Sequence, residues 1–193
     1  MNVASLTVIV LLLWTNMAVR TGQSTLISFH HRPLGDAAVP LHFQKAKPCT
    51  MPNPCNVTGY KDWYKTGSYC IKYFMAHLNF TEAEMQCRSA APGGHLVSVH
   101  DCKANVDLLC VVMKYNAKNP RIWLGGFELF QTGKLMWTDG SPWNYEDWVP
   151  GEPSQRWTNA EDCVEMNWSQ IGRWNDHSCY TQKSYVCSFK NTV

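Results

Sequence analysis

Oxygen-bearing side chains cluster near the C-terminal end of the chain. Between positions 146 and 176 the sequence has seven carboxylates and two cations, Arg156 and Arg173. The seven are Glu146, Asp147, Glu152, Glu161, Asp162, Glu165 and Asp176. The cluster is acidic, whereas the whole chain carries a net charge of +2. Carboxylates this close disfavour one another's charge unless a cation joins them. Because Ca²⁺ binds roughly six to eight such oxygens, the cluster predicts a calcium site on loops.

The cysteines indicate how those loops are held. The chain has nine cysteines in 193 residues and no Cys-x-x-Cys pair. Thiolate zinc sites usually contain such pairs, so the pattern predicts disulfides formed in an oxidising compartment. Because the count is odd, at least one thiol is free or bonds to another chain. A disulfide-linked homodimer is therefore one open alternative.

The first residues have the pattern of a secretory signal peptide. An apolar run from Leu6 to Trp14 precedes small or polar residues up to Gly22, and it is too short to span a bilayer. We expect residues 1–22 to be a signal peptide and the cysteine-free stretch 23–48 to be an extension or propeptide. Residues 49–190 then form one domain of a secreted, extracellular protein, and no later segment predicts a membrane span.

The sequence contains few other functional signatures. Lys and Arg form no run or stripe, so nucleic acid is not an expected partner. The chain lacks Gly-x-Ser-x-Gly and His-Glu-x-x-His, and we do not expect an enzyme. Three Asn-x-Ser/Thr triplets are candidate glycosylation sites: Asn56, Asn79 and Asn167.

The first part of the domain predicts a strand and then two helices. Residues 67–74 alternate as a strand does. Thr81 and Glu84 have the spacing of a capping box, which predicts a short helix from there through Cys87. A second helix should end before the turn at Asn119. The residues that share one face of this helix, by helical spacing, are Cys102, Val106, Leu109, Cys110 and Met113.

The second part of the domain changes to short apolar pieces separated by turns. Residues 122–124, 135–137, 163–168 and 185–189 are predicted strands, so the fold class is α+β. The stretch 139–160 has neither the helical nor the strand period of apolar residues, which predicts a loop. A loop of that length is usually functional.

Five short motifs in this order resemble the C-type lectin-like domain from about Cys55 to Lys190. They are Trp123-Leu124-Gly125-Gly126, Met136-Trp137-Thr138-Asp139-Gly140-Ser141, Trp148-Val149-Pro150-Gly151, Glu152-Pro153-Ser154 and Trp174-Asn175-Asp176. The layout is similar to small secreted lectins and to type II antifreeze proteins of fish. The resemblance implies a disulfide-stapled fold of two helices, short antiparallel sheets and a long calcium-binding loop.

The resemblance also implies specific disulfides. It pairs Cys87 with Cys187 and Cys163 with Cys179, and it pairs Cys70 with either Cys55 or Cys49. Cys102 and Cys110 are separated by roughly 12 Å along one helix, too far for a bond with each other. A buried, free Cys110 is an alternative to a covalent dimer.

The calcium site of the family supplies side-chain oxygens that also hydrogen-bond a sugar. In this chain the implied residues for both roles are Glu152, Ser154, Glu161, Asn175 and Asp176. The Glu152–Pro153 peptide is expected to be cis. Trp143, Trp157 and His177 could pack on the sugar. Glu128 and Asp162 give only weak support for an auxiliary calcium site.

Ser154 departs from the family pattern, which has Asn or Asp there. A serine hydroxyl is shorter and a weaker ligand than an amide oxygen, so we expect weaker calcium binding or an altered sugar preference. Glu152 favours mannose-like over galactose-like sugars. The sequence therefore predicts a calcium-dependent lectin, and the alternative is a non-sugar module that binds ice or protein.

Overall fold

The computed structural model describes residues 49–130, 132–154 and 162–191, and its α+β class and two helices confirm the prediction. The helices are α1 (Phe80–Ala90) and α2 (Cys102–Tyr115). The strands are β1 (Tyr64–Thr66), β2 (Tyr69–Leu78), β3 (His95–Leu96), β4 (Ile122–Glu128), β5 (Leu135–Trp137), β6 (Cys163–Met166), β7 (Trp174–His177) and β8 (Lys183–Lys190).

These strands form one sheet in the order β1-β2-β8-β4-β6-β7, with β3 on β8 and β5 on β4. All the pairs are antiparallel except β4 with β8. The expected short antiparallel sheets are thus joined through that one parallel pair. The arrangement brings β7, which carries Asn175 and Asp176, to one edge of the sheet.

Two glycines of β4 allow the sheet and its loops to approach closely. A Cβ on Gly125 would lie 2.6 Å from the backbone oxygen of Leu96, and one on Gly126 would lie 2.7 Å from Cγ2 of Val164. Neither distance is compatible with a side chain, because packed interiors leave no room for an added methyl group. The close approach therefore explains both glycines of the Trp123-Leu124-Gly125-Gly126 motif.

Helix α1 begins earlier than predicted, at Phe80. Asn79 is the N-cap and accepts from the backbone N–H of Glu82 at 2.9 Å, and Glu82 completes the capping box in return. The prediction of a box from Thr81 to Glu84 was wrong because both pairs have the required spacing. The Glu84 carboxylate instead accepts from the backbone N–H of Leu96 at 2.9 Å and lies 2.7 Å from Nδ1 of His95. This contact fixes α1 to β3.

The residues that share one face of α2 by spacing differ in their exposure. Val106 is 48% exposed and Met113 is 36% exposed, and Cys102 is also exposed. The buried side chains of α2 are Asn105, Asp107, Leu108, Cys110, Val111 and Val112. Apolar residues follow helical spacing on both sides of this helix, and spacing alone does not show which side is buried.

Four disulfides join the elements. The structure has the implied pairs Cys87–Cys187 and Cys163–Cys179. Cys70 pairs with Cys55 rather than Cys49. Cys49 bonds to Cys110, so the alternative of a free Cys110 was wrong. Among the described residues the one free cysteine is Cys102, at the start of α2.

Candidate metal centre

An aromatic cluster holds the long loop against β7. Trp174 is fully buried, and its ring is 5.6 to 5.9 Å from four other aromatic rings, at angles between 69° and 83°. The four belong to Trp137, Trp143, Tyr145 and Trp148. Edge-to-face packing of this kind stabilises a fixed arrangement. The residues that follow Trp174 and Trp148 in sequence are therefore held at defined positions.

Backbone hydrogen bonds connect the same two segments. The N–H of Val149 donates to the Trp174 carbonyl at 2.9 Å, and the N–H of Trp174 donates to the Asp147 carbonyl at 2.8 Å. Further along, the N–H of Ser154 donates to Oδ1 of Asp176 at 3.1 Å. The Glu152–Pro153 peptide is cis, as predicted. The loop thus brings Glu152 and Ser154 beside Asp176.

Glu152 and Asp176 form a pair of carboxylates with buried oxygens. Oε2 of Glu152 and Oδ2 of Asp176 are inaccessible to solvent and have no hydrogen-bond partner among the described residues. Burial, together with the neighbouring Glu152 carboxylate, raises the pKa of Asp176 to about 6. Ionised carboxylates only accept hydrogen bonds, so the two cannot satisfy each other. The pair therefore favours a bound cation, which would neutralise both charges.

Asn175, which precedes Asp176 in β7, has an amide group of fixed orientation. Its Nδ2 donates to Oε1 of Glu165 at 2.9 Å and to the Asp176 carbonyl at 2.5 Å. Both amide hydrogens are thus occupied, because a side-chain amide has two. The orientation leaves Oδ1 of Asn175 as an acceptor. Two carboxylates and an amide oxygen from loop and strand are the type of donor set that fits Ca²⁺.

A buried ion network lies beneath Asn175. Glu165 is fully buried, accepts from Nε of Arg121 at 2.8 Å, and lies 3.4 Å from Nζ of Lys183. Burial lowers the pKa of Lys183 to about 8, although Glu165 opposes that shift. Lys183 also lies over the Trp123 ring at 4.0 Å and within 3.0 Å of Nδ1 of His177. The network fixes the Glu165 carboxylate, which in turn orients Asn175.

Sequence reasoning missed the roles of Glu165, Arg121 and Lys183. From the sequence alone, Glu165 is one more acidic residue of the cluster. A signal was nonetheless present, because a carboxylate within a short apolar strand is buried and needs a paired charge. The partner could not be named, since Arg121 and Glu165 are 44 positions apart in sequence.

Comparison with known proteins decides the family. The profile described as "Lectin C-type domain" matches residues 76–189. The chain belongs to the C-type lectin family. A relative, a C-type lectin of the lectoxin group from Thrasops jacksonii, is 35% identical over 156 residues, which cover 80% of this chain and 92% of the relative. C-type lectins are binding proteins rather than enzymes.

Two further relatives of this C-type lectin have names that mention sugars. A "C-type lectin mannose-binding isoform" of Oxyuranus scutellatus is 36% identical over 129 residues, covering 66% of this chain and 80% of the relative. The "Galactose-specific lectin nattectin" of Thalassophryne nattereri is 30% identical over 128 residues, covering 66% and 78%. The two names point to different sugars at comparable identity.

Solved structures of the family include both lectin and antifreeze proteins. The C-type lectin CEL-I from Cucumaria echinata superimposes with a TM-score of 0.62 at 28% identity, over 67% of this chain and 96% of that one. The herring type II antifreeze protein gives 0.60 at 25% identity, over 67% and 96%. The fold expected from the motifs is confirmed.

The structure brings together only part of the implied ligand set of this lectin domain. Glu152 lies beside Asp176, and Asn175 precedes Asp176 in β7. The backbone of Ser154 also contacts Asp176, while Ser154 as a whole is exposed. Glu161 lies outside the described residues, as does Trp157. Within the described ranges, no three His, Cys, Asp or Glu side chains gather closely enough to hold a metal ion.

The other residues singled out from the sequence have varied surroundings. Trp143 stacks on Trp137 at 4.4 Å as part of the aromatic cluster.

For the auxiliary site, the backbone N–H of Glu128 donates to the Asp162 carbonyl at 2.7 Å. Burial and then the Glu128 carboxylate raise the pKa of Asp162. This position therefore offers two carboxylates, fewer oxygens than a calcium ion requires.

The three sequons of this lectin domain differ in accessibility. Asn56 is exposed, whereas Asn79 caps α1 through Oδ1. Asn167 is 9% exposed, and its Nδ2, the atom to which a glycan attaches, donates to the Pro120 carbonyl at 3.0 Å. A glycan at Asn167 would disturb that hydrogen bond in the folded domain.

None of the helices in the described part of the chain has the length and apolarity to cross a membrane.

Proposed function

We propose that this lectin binds carbohydrate in a calcium-dependent manner. The proposed oxygen donors are Glu152, Ser154, Glu161, Asn175 and Asp176. The observation that carries the proposal is the pair of buried, unpartnered oxygens on Glu152 and Asp176. Two adjacent carboxylates, each with a buried oxygen, are costly without a cation, and no Lys or Arg of the described ranges donates to either buried oxygen.

The residues of the site have different proposed roles in binding the metal and the sugar. Glu152 and Asp176 supply negative charge, and Asn175 supplies its amide oxygen because Glu165 occupies its nitrogen. When bound, Ca²⁺ accepts further oxygens into its shell, among them two neighbouring hydroxyls of a sugar ring. Glu152 and Asn175 are the proposed hydrogen-bond partners of those same hydroxyls. Ser154 contributes less than an asparagine would, which predicts attenuated affinity.

We infer a preference for mannose-like over galactose-like sugars. The basis is Glu152, because the family resemblance links a glutamate at this position to mannose-like sugars. The relatives' names support both sugars, since one is mannose-binding and another is galactose-specific. Competition between the two sugars for one immobilised ligand tests the preference directly.

We place this function outside the cell. The apolar run before Gly22 supports a signal peptide at 1–22, the stretch 23–48 is proposed as an extension or propeptide, and 49–190 as the lectin domain. Four disulfides support an oxidising compartment. Asn56 is the proposed glycosylation site, because it is the most accessible member of the three.

Retention on immobilised sugar tests the proposal. We expect the protein to bind a mannose matrix in calcium and to elute with a chelator. Calcium should also raise the unfolding temperature of the free protein, since a ligand that binds only the folded state stabilises it. Asp176→Asn should abolish both effects, whereas Glu146→Gln, in the exposed part of the same loop, should abolish neither. Retention that ignores the chelator would contradict calcium dependence.

A second candidate function is ice or protein binding without sugar. It is favoured by the likeness to the herring type II antifreeze protein, at a TM-score of 0.60. Ice shaping and thermal hysteresis by the purified protein, with no retention on any sugar matrix, would select ice binding over carbohydrate binding.

A further inference from the structure

A groove lies on the surface where the start of α1 meets the end of β4 and the turn after β7. Its volume is about 580 Å³, which is within the range of about 300–1,000 Å³ that is usual for ligand sites. Three phenylalanines line it, Phe80, Phe127 and Phe130. We call it the aromatic groove.

The wall of the aromatic groove is anchored in the core. Phe80 is buried, and the centre of its ring lies 6.5 Å from that of Phe127. The backbone N–H of Phe80 donates to the Cys179 carbonyl at 3.0 Å. Cys179 and its disulfide partner Cys163 line the groove as well. The wall is therefore formed before any ligand binds.

Phe130 is an unusual residue at the rim of this groove. Its side chain is 87% exposed, and its φ of +47° lies in the left-handed region. A bulky residue in that region is strained, and such strain is concentrated at functional sites. An exposed ring in a strained conformation adds little to the core, which favours contact with a ligand as its role.

Two carboxylates give the groove negative charge, because Glu128 and Asp162 also line it. Glu128 is 8% exposed, and its Oε1 accepts from the backbone N–H of Gly133 at 2.5 Å. Burial and then the Glu128 carboxylate raise the pKa of Asp162, so the two acids are close. Among the described residues, no Lys, Arg or His forms a salt bridge with either of them. Their charge is left for a partner to neutralise.

The start of α1 does not turn the groove into an anion site. The first N–H groups of a helix have no partner within the helix, but here three of them are occupied. The N–H of Phe80 donates to Cys179, and Asn79 and Glu82 each donate to the side chain of the other. The carboxylates therefore decide the sign of the ligand, which is a cation.

An organic cation fits this lining better than a metal ion. Calcium takes roughly six to eight oxygens, and two carboxylates supply too few. A guanidinium group is planar, donates to carboxylates in a fork and stacks on aromatic rings. It thus matches both the acidic and the aromatic part of the groove. A lysine ammonium is a more strongly hydrated point charge and matches only the acidic part.

We propose that the aromatic groove binds a peptide segment of another protein through an arginine side chain. The guanidinium pairs with Glu128 and Asp162, and an apolar side chain next to the arginine packs on the phenylalanine wall. Apolar walls with a few placed polar groups are typical of specific ligand sites. The protein would then recognise basic, aromatic peptides in addition to carbohydrate.

This peptide site is separate from the proposed sugar site. The groove is not lined by Glu152, Asn175 or Asp176. Peptide binding is therefore expected in a chelator as well as in calcium, and failure of the sugar proposal would leave it unchanged.

Nuclear magnetic resonance of the isotope-labelled full chain in a chelator tests the proposal. Acetyl-Phe-Arg-Phe-amide should shift the backbone N–H signals of Phe130 and Gly133 in a saturable manner. The same peptide with citrulline, which has the shape of arginine without the charge, should bind about tenfold more weakly because it loses a charged hydrogen bond. A lysine peptide should lie between the two. Equal affinity for the arginine and citrulline peptides overturns the proposal.

Two pairs of variants test the two parts of the groove. Glu128→Gln keeps an oxygen for the Gly133 N–H and loses the charge, so it should weaken the arginine peptide about tenfold. Glu146→Gln, in the exposed part of the long loop, should not. Phe130→Ala should weaken the peptide several-fold, whereas Tyr180→Ala, at an 89% exposed ring outside the lining, should not. Thermal unfolding checks that each variant is folded.

Three further outcomes overturn the proposal. One is the absence of saturable shifts with millimolar peptide. Another is an equal loss of affinity in Phe130→Ala and Tyr180→Ala, which would indicate non-specific contact with exposed rings. The third is displacement of the peptide by millimolar calcium, which would identify the groove as a metal site.

Discussion

Asn175 donates an N–H of its side-chain amide to Oε1 of Glu165 across 2.9 Å, and this contact fixes the orientation of the amide. Glu165→Gln should weaken calcium binding about 10- to 100-fold, as the loss of a ligand's hydrogen-bond partner typically does. Glutamine has one acceptor oxygen where Glu165 has two, and Arg121 and Lys183 compete with Asn175 for it, so the Asn175 amide loses its fixed orientation. Isothermal titration with calcium measures the change.

Glu165→Gln also changes the buried network, so its effect on the stability of the fold must be measured separately from its effect on calcium affinity. Loss of one partner of a buried ion pair destabilises by about 3–5 kcal/mol, which denaturant unfolding measures. Lys183→Met offers the matched control, because it perturbs the same network without touching Asn175. Calcium affinity that falls equally in both variants would mean that Glu165 acts through stability alone.

Ser154 is the residue whose replacement should improve binding. Ser154→Asn adds a longer side chain with a carbonyl oxygen for the metal and an N–H for the sugar. We expect calcium and mannose affinity to increase by about tenfold, or about 1.4 kcal/mol. Ser68→Asn, at an exposed position far from the loop in sequence, is the control. Unchanged affinity in Ser154→Asn would place residue 154 outside the ligand shell.

The raised pKa of Asp176, about 6, predicts two pH effects. Calcium binding should weaken as the pH falls from 7 through 6, because protonation removes a ligand charge. Without calcium, the folded protein binds this proton more tightly than the unfolded chain. The contribution of Asp176 to stability should therefore increase as the pH falls from 7 towards 4.

Thermal unfolding with a chelator, repeated across that pH range, measures the second effect. Asp176→Asn should flatten the profile, and Asp162→Asn should change it less at pH 6. A chelated wild-type protein whose unfolding temperature does not rise between pH 7 and pH 5 would contradict the buried carboxylate pair.

The contribution of Glu84 to stability changes with pH in the opposite direction to that of Asp176. Burial alone would raise its pKa, but hydrogen bonds from the Leu96 N–H, Arg88 and His95 outweigh burial and hold the pKa below its ordinary value. Its contribution is therefore present above the unfolded-state pKa of 4.5 and is lost as the pH falls through the lower folded value.

Glu84→Gln tests this contribution. We expect a loss of about 1–3 kcal/mol at pH 7 that disappears in strong acid, measured by urea unfolding at both pH values. Glu82→Gln, at the exposed helix start, should cost less than about 1 kcal/mol, the value of a helix-dipole interaction. Equal losses for both variants would mean that the Glu84 contacts do not stabilise the fold.

Local pattern allowed much of the fold to be predicted. Alternation and turn residues located β2, β5 and β8, and family motifs implied the Cys87–Cys187 pair. The start of α1 was misplaced because Asn79 and Thr81 each have a glutamate three positions later. The buried face of α2 could not be predicted, since apolar spacing occurs on both sides and only tertiary packing selects one.

The side chains of the candidate site could be predicted from the sequence, but the residues that hold them in place could not. Glu152, Asn175 and Asp176 were singled out from charge and motif. The ion network of Arg121, Glu165 and Lys183 was not, because its members come from three separated segments and each is ordinary alone. The pairing of such residues depends on sheet order, which local sequence does not specify.

The Cys87–Cys187 disulfide also determines what proteolysis can do to this lectin. It encloses the whole long loop, since its two cysteines are 100 positions apart in sequence. A trypsin cut after Arg156 would therefore yield two fragments that stay covalently joined. Such nicked protein would keep Asn175 and Asp176 attached to Glu152, and its cleavage would become visible only after reduction.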